Sequence, residues 1–263
     1  MKLTFLKASI YCVMFVVCSI ANAGIIATDS FGYSLSDIEY NLRDISSTGN
    51  DIGLDGSDDD VSIASIGFNF DFYGNIYSDV EISSNGFMSF TQTGNTACCS
   101  GETISTQGGS IDNFIAGYWE DLSPQDGGIV RAQTSGLIGS RIFTVGFYNV
   151  RDVDDPVNSV NTFEMILHEL TNDIEIQYSL IQFEDVDDKV MGIENIDGSD
   201  GIELAFFEAD SNFINGDVLF QNEGYCFSTA TNCGISSVPE PSTLAIFALG
   251  MIGLASRRFK KQS

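Results

Sequence analysis

Between residues 24 and 221 the chain predicts an all-β domain, an antiparallel β-sandwich or barrel-like fold. Three observations carry that expectation. Ile66, Phe68, Phe70 and Phe72 alternate with Gly67, Asn69 and Asp71, which puts the large apolar side chains on one face of an extended segment. About a dozen short apolar segments recur between polar turns at roughly 8–12-residue spacing, the rhythm of sandwiches and barrels. No stretch of the same region shows a convincing helical period.

The strands follow in order. After the alternating segment, Val80 and Ile82 lead into Ser84-Asn85-Gly86, and Phe87 to Phe90 return from it. Asn-Gly readily adopts positive φ, so this reads as a hairpin. Further strands are expected at Ile115–Trp119, Ile129–Gln133, Arg141–Val150, Thr162–Leu170, Ile174–Leu180, Val190–Glu194, Ile202–Phe207 and Val218–Gln221. Residues 222–237 form a cysteine-bearing coda ending in a Ser/Gly-rich linker, Gly234 to Ser237, whose composition is that of a flexible spacer.

Both ends carry apolar segments of a different kind. Residues 1–23 read as a signal peptide: Lys2 and Lys7, an apolar run from Ala8 to Ile20, then Ala21-Asn22-Ala23, with cleavage between Ala23 and Gly24. Residues 238–263 place Pro239-Glu240-Pro241 before an apolar run, Leu244 to Ala255, and a basic cluster of Arg257, Arg258, Lys260 and Lys261. The run has no polar face, which argues against a surface helix packed on a core. A transmembrane helix over 242–256 is expected, short but extended by snorkelling arginines. The basic cluster anchors the cytoplasmic side and leaves the preceding chain across the membrane.

Six of the eleven Lys and Arg residues lie in these ends; between Gly24 and Val238 five bases face 36 acids, a charge of −31. Such a body repels nucleic acid and anionic lipid and favours divalent cations. Its content of Phe, Ile and Val sets it apart from a disordered acidic tail. Four of the six cysteines fall in the body, and an exported chain holds them oxidised. Cys226 and Cys233, close together in a turn-rich stretch, are expected to pair. Cys98 and Cys99 either bridge each other or pair with the other two. A Cys-Cys plus Cys-x6-Cys set without neighbouring His is a poor zinc pattern.

The tail, VPEPSTLAIFALGMIGLASRRFKKQS, resembles the PEP-CTERM sorting signal of Gram-negative bacteria. That resemblance implies export, transient residence in the inner membrane, and processing by an exosortase that recognises Pro239, Glu240 and Pro241. The runs IGFNFDFYGNIYSDVEISSNGFMSF, NFIAGYWEDLSPQDGGIVRAQTSG, RIFTVGFYNV, NTFEMILHELTNDIEIQY and MGIENIDGSDGIEL resemble a NIDO-type domain, the extracellular module named for nidogen. The likeness spans roughly Tyr33 to Gln221 and implies a non-catalytic, β-rich module linked to adhesion and matrix assembly.

Catalytic constellations are sparse. The one histidine, His168, lies on an expected strand with Glu164 and Ile166 on its face and Phe163, Met165 and Leu167 on the other, a rim position. No G-x-S-x-G elbow is present. Glu120-Asp121 beside Trp119 could serve a glycosidase, but core and rim packing of this WEDL stretch is the simpler reading. The loops hold better candidates: Asp58, Asp59 and Asp60; Asp152, Asp154 and Asp155; Asp185, Asp187 and Asp188; Asp197 and Asp200. Closely spaced carboxylates with glycines suit Ca²⁺, while solvated acidic loops are the simpler reading of each cluster. None fits the EF-hand loop.

Taken together, the expected function is that of an exported, non-enzymatic cell-surface or extracellular-matrix protein whose partners are an exosortase and extracellular polysaccharide or other surface proteins. The alternatives are a calcium-dependent carbohydrate- or cell-binding adhesin and a secreted polysaccharide hydrolase.

Overall fold

The computed structural model describes residues 25–104, 109–183, 186–209, 216–230 and 233. The expected signal peptide, its Ala23/Gly24 junction, the expected transmembrane helix, Pro239-Glu240-Pro241, the basic cluster and Asp185 lie outside the described residues. Among those described there is no helix, and none long and apolar enough to cross a membrane.

Fifteen strands among the described residues form two antiparallel sheets. The larger contains β1 (Ile25–Thr28), β2 (Ser34–Ile38), β15 (Val218–Ser228), β12 (Ile174–Gln182), β11 (Asn161–His168), β10 (Ile142–Asp152), β9 (Ile129–Ser135) and β3 (Asn50–Asp51) in spatial order, with β8 (Leu122–Ser123) pairing off β10. The smaller runs β14 (Gly201–Phe207), β13 (Lys189–Glu194), β7 (Phe114–Trp119), β6 (Phe87–Ser89), β5 (Asn75–Ser83) and β4 (Val61–Phe72). The two stack as a sandwich, as the alternation anticipates. In β4, Ile66, Phe68, Phe70 and Phe72 are buried while Gly67 and Asn69 face solvent.

The core lies between the sheets, where Phe147 stacks on Phe163 with ring centres 4.7 Å apart. Gly117 in β7 sits directly over Phe163: a Cβ there would meet the ring at 2.4 Å. That close approach lets Tyr178 donate its hydroxyl across the sandwich to the Gly117 carbonyl at 2.6 Å.

Two segments extend burial to the outer faces. The first spans Tyr40 to Gly49 and lies across β10–β12. Arg43 N donates to Glu164, Asn41 N to Gln177, and Ile45 N to the Tyr148 hydroxyl, each at 2.8 Å; that hydroxyl in turn donates to Glu164 at 2.5 Å. Glu164 and Ile166 are therefore fully buried. Only His168 itself, at the strand end, stays partly exposed, with Nε2 3.0 Å from Glu175. The second, Thr91 to Ile104 with Gly109 to Asp112, packs Ala97 and Ile111 on Phe87, Phe114, Trp119 and Val190. Trp119 is completely buried there and donates Nε1 to the Ala97 carbonyl at 2.9 Å. It has no surface to offer a sugar.

The last strand also differs. The coda expected from residue 222 begins as strand: β15 continues through Ser228, and Cys226 is fully buried. The polar Gln221-Asn222-Glu223 mimics a loop because that part of β15 is exposed on both sides.

Candidate functional site

The turn between β5 and β6 organises one pole of the sandwich. Gly86 takes φ +83°, and its carbonyl accepts from Gly117 N and Tyr118 N, both at 3.1 Å. The Asn85 carbonyl accepts Glu120 N at 3.3 Å. The same turn holds the acidic loop 55–60: Ser84 N donates to the Asp60 carbonyl at 2.9 Å, and Ser84 Oγ donates to the Asp58 carbonyl. The Asn85 side-chain amide donates to Asp59 Oδ1 at 2.9 Å.

Two more loops reach this pole. β8 pairs with the end of β10, with Asp152 opposite Leu122, and Val153 N donates to the Asp121 carbonyl at 3.0 Å. Behind them Lys189 and Glu120, both fully buried, face each other at 3.9 Å, and Lys189 also donates to the Asp187 carbonyl. Gly101 N reaches the Asp188 carbonyl at 2.6 Å and ties in the loop that carries Cys98 and Cys99.

Three of the four acidic clusters thus meet around Asp121, a residue set aside as rim packing. Carboxylate oxygens of Asp121, Asp154 and Asp187 lie within 4.8 Å of one another. Oxygens of Asp59 and Asp121 and the sulfurs of Cys98 and Cys99 form a second group within the same distance, sharing Asp121. The Asp121 carboxyl is pushed up to about 7, first by burial and then by the charges of Asp59, Asp58, Asp187 and Asp152. Asp58 is raised for the same reasons, burial ahead of Asp59 and Asp126.

The remaining acids have structural partners. Asp60 caps Val61 N at 2.8 Å. Asp152 accepts Asp154 N at 2.9 Å, and Asp155 binds Asn158. Asp188 accepts Ala209 N at 2.7 Å. The fourth cluster stands apart from Asp121: Asp200 accepts Ser30 N and Phe31 N, and Asp197 accepts the Ser199 hydroxyl, which holds the carboxyl of Asp197 low. Backbone N–H groups and the Ser199 hydroxyl engage both carboxylates.

The four body cysteines are joined as Cys98–Cys99 and Cys226–Cys233. Two hollows of about 570 and 460 Å³ border the covering segment Tyr40 to Gly49, and neither includes a residue of the acidic pole.

Comparison with known families finds two matches: the family described as NIDO related over residues 32–223, and the PEP-CTERM protein-sorting motif over residues 237–261. No curated protein and no solved structure matches the chain.

Proposed function

The chain belongs to the NIDO related family and ends in a PEP-CTERM sorting motif, and from that premise we propose an exported, non-enzymatic component of the cell surface or extracellular polymer matrix. The motif implies handling by an exosortase. In this reading the chain enters the inner membrane with its body outside and its basic cluster in the cytoplasm. It is processed near Pro239-Glu240-Pro241 and passed on to the surface, with polysaccharide or other surface proteins as neighbours.

The observation that carries the proposal is the sorting motif directly following the β-sandwich. The surface of the sandwich suits that destination: strongly acidic and crosslinked by two disulfides. A non-catalytic role is supported by the fate of the candidate catalytic groups. Glu120 is sealed against Lys189, Trp119 is buried, and His168 is engaged with Glu175. Replacing Pro239, Glu240 and Pro241 by alanine tests the assignment in cell fractions. The variant should accumulate in the inner membrane; release to the surface at the native level would overturn it.

A second reading, a calcium-dependent adhesin, is favoured by the gathering of three acidic loops at one pole. A glycan array probed with and without Ca²⁺ separates the two, since only an adhesin gains ligands with the ion.

A further inference from the structure

The environment of Asp121 is incomplete as it stands. Only 8% of the residue is exposed, yet among the described residues no donor and no cation meets its carboxylate. Burying a carboxylate without compensation is costly, and buried charges are paired or coordinate metals. Here the neighbours are further carboxylates, which worsens the deficit. A second buried acceptor lies beside it. Asn85 is fully buried, and its amide nitrogen is used on Asp59, but its Oδ1 accepts nothing. Asp58 Oδ1 is likewise buried without a donor. Every unmet atom at this pole is an oxygen acceptor.

We propose that the pole is a Ca²⁺ site in which Asp121, Asp154 and Asp187 supply the carboxylate ligands and water completes the shell. The spacing fits the ion. Two oxygens bound to one Ca²⁺ at about 2.4 Å can stand no more than about 4.8 Å apart, and the three carboxylate oxygens meet that limit. Donor chemistry selects Ca²⁺ over its competitors. Zinc prefers nitrogen and thiolate, and the nearest sulfurs, Cys98 and Cys99, are bonded to each other. Mg²⁺ demands a near-ideal octahedron and keeps several waters, whereas Ca²⁺ accepts an irregular set of carboxylates and amide oxygens from separate loops. The bound ion would fasten loops 152–155 and 186–188 to each other and to Asp121. This inference depends on neither reading of the protein's biological role.

The test uses the full chain, stripped with chelator and titrated with CaCl₂ by calorimetry, with melting followed by emission of Trp119, the single tryptophan. One Ca²⁺ per chain is expected, with a melting temperature raised by about 5 °C or more when Ca²⁺ stands a hundredfold above its Kd. Asp121→Asn and, separately, Asp187→Asn should each weaken binding at least about tenfold, while Asp197→Asn in the fourth cluster binds as the parent chain does. Should Asp121→Asn fail to fold, the exposed Asp154→Asn decides in its place. Absence of both heat and thermal shift overturns the proposal, as does parental affinity in the Asp187→Asn and Asp154→Asn variants. Equal stabilisation by MgCl₂ overturns the choice of ion.

Discussion

Gly86→Ala should be among the most damaging small substitutions in this chain, for reasons that can be added up. A Cβ at Gly86 would stand 1.8 Å from the Tyr118 carbonyl oxygen and 2.8 Å from its carbon. Both are backbone atoms of a central strand, so no side-chain rotation relieves the clash. The turn must retreat from β7 by more than 1 Å, on the order of the gap between this contact and van der Waals separation. Such a retreat breaks the hydrogen bonds from Gly117 N and Tyr118 N to the Gly86 carbonyl. At about 1 kcal/mol each these contribute about 2 kcal/mol. The positive φ adds about 1–2 kcal/mol for any residue with a Cβ. The expected loss is about 3–4 kcal/mol, or roughly 6–16 °C in melting temperature for a domain of this size. Gly139→Ala is the matched control. That glycine has φ +89° with nothing within 4 Å of an added Cβ, so it should lose only the conformational part, about 1–2 kcal/mol. Urea and thermal unfolding read by Trp119 fluorescence measure both. Equal destabilisation in the two variants would refute the argument, because the contact with Tyr118 would then contribute nothing.

Two further outcomes follow from buried polar groups. In chelator, the raised Asp121 carboxyl makes the folded state hold its proton up to about pH 7, whereas the unfolded chain releases it near the ordinary 3.8. This contribution to stability is therefore complete below about pH 4, declines as pH rises, and is lost above about 7, an effect of up to about 4 kcal/mol. The stability difference between the parent and Asp121→Asn, measured by urea unfolding across pH 4–8, should grow in favour of the variant; a constant difference would discard the assignment. Tyr148→Phe removes the hydroxyl shared by Ile45 N and Glu164, costs about 1–3 kcal/mol, and should expose the 40–49 segment to limited proteolysis at a rate the parent does not show.

The strands were legible where one face is buried and the other wet. The Ile66–Phe72 alternation states its register outright, because a half-buried strand must repeat every two residues. β11 was harder: all but Thr162 and His168 are buried, inward on one face or under the covering segment on the other. That segment, Tyr40 to Gly49, has no period of its own and is held through backbone N–H groups that any sequence would supply. At Trp119 an aromatic beside two carboxylates admits a sugar platform as well as the core residue favoured from sequence, and Ala97 and Ile111 are seen to cover it.

The acidic site divides in the same way. Each loop is recognisable as a cluster of aspartates, but nothing in the chain tells which clusters share a pole, since more than 60 residues separate Asp59 from Asp121, and Asp121 from Asp187. The Asp197–Asp200 cluster looks equally suited to an ion, yet it spends its oxygens on local and distant backbone donors.

Composition and order along the chain are enough for the β class, the acidic surface, the cysteine pairing within Cys226–Cys233 and the terminal sorting motif. These are local properties: alternation, charge, loop closure and a tripartite tail each occupy a few neighbouring residues. Which faces are covered, which aspartates meet, and why Asp121 sits among other described carboxylates are decided by strand order and by the two segments lying over the sheets. Those depend on contacts between residues far apart in sequence, where a side chain's pairing is set by the whole packing arrangement rather than by its neighbours in the chain.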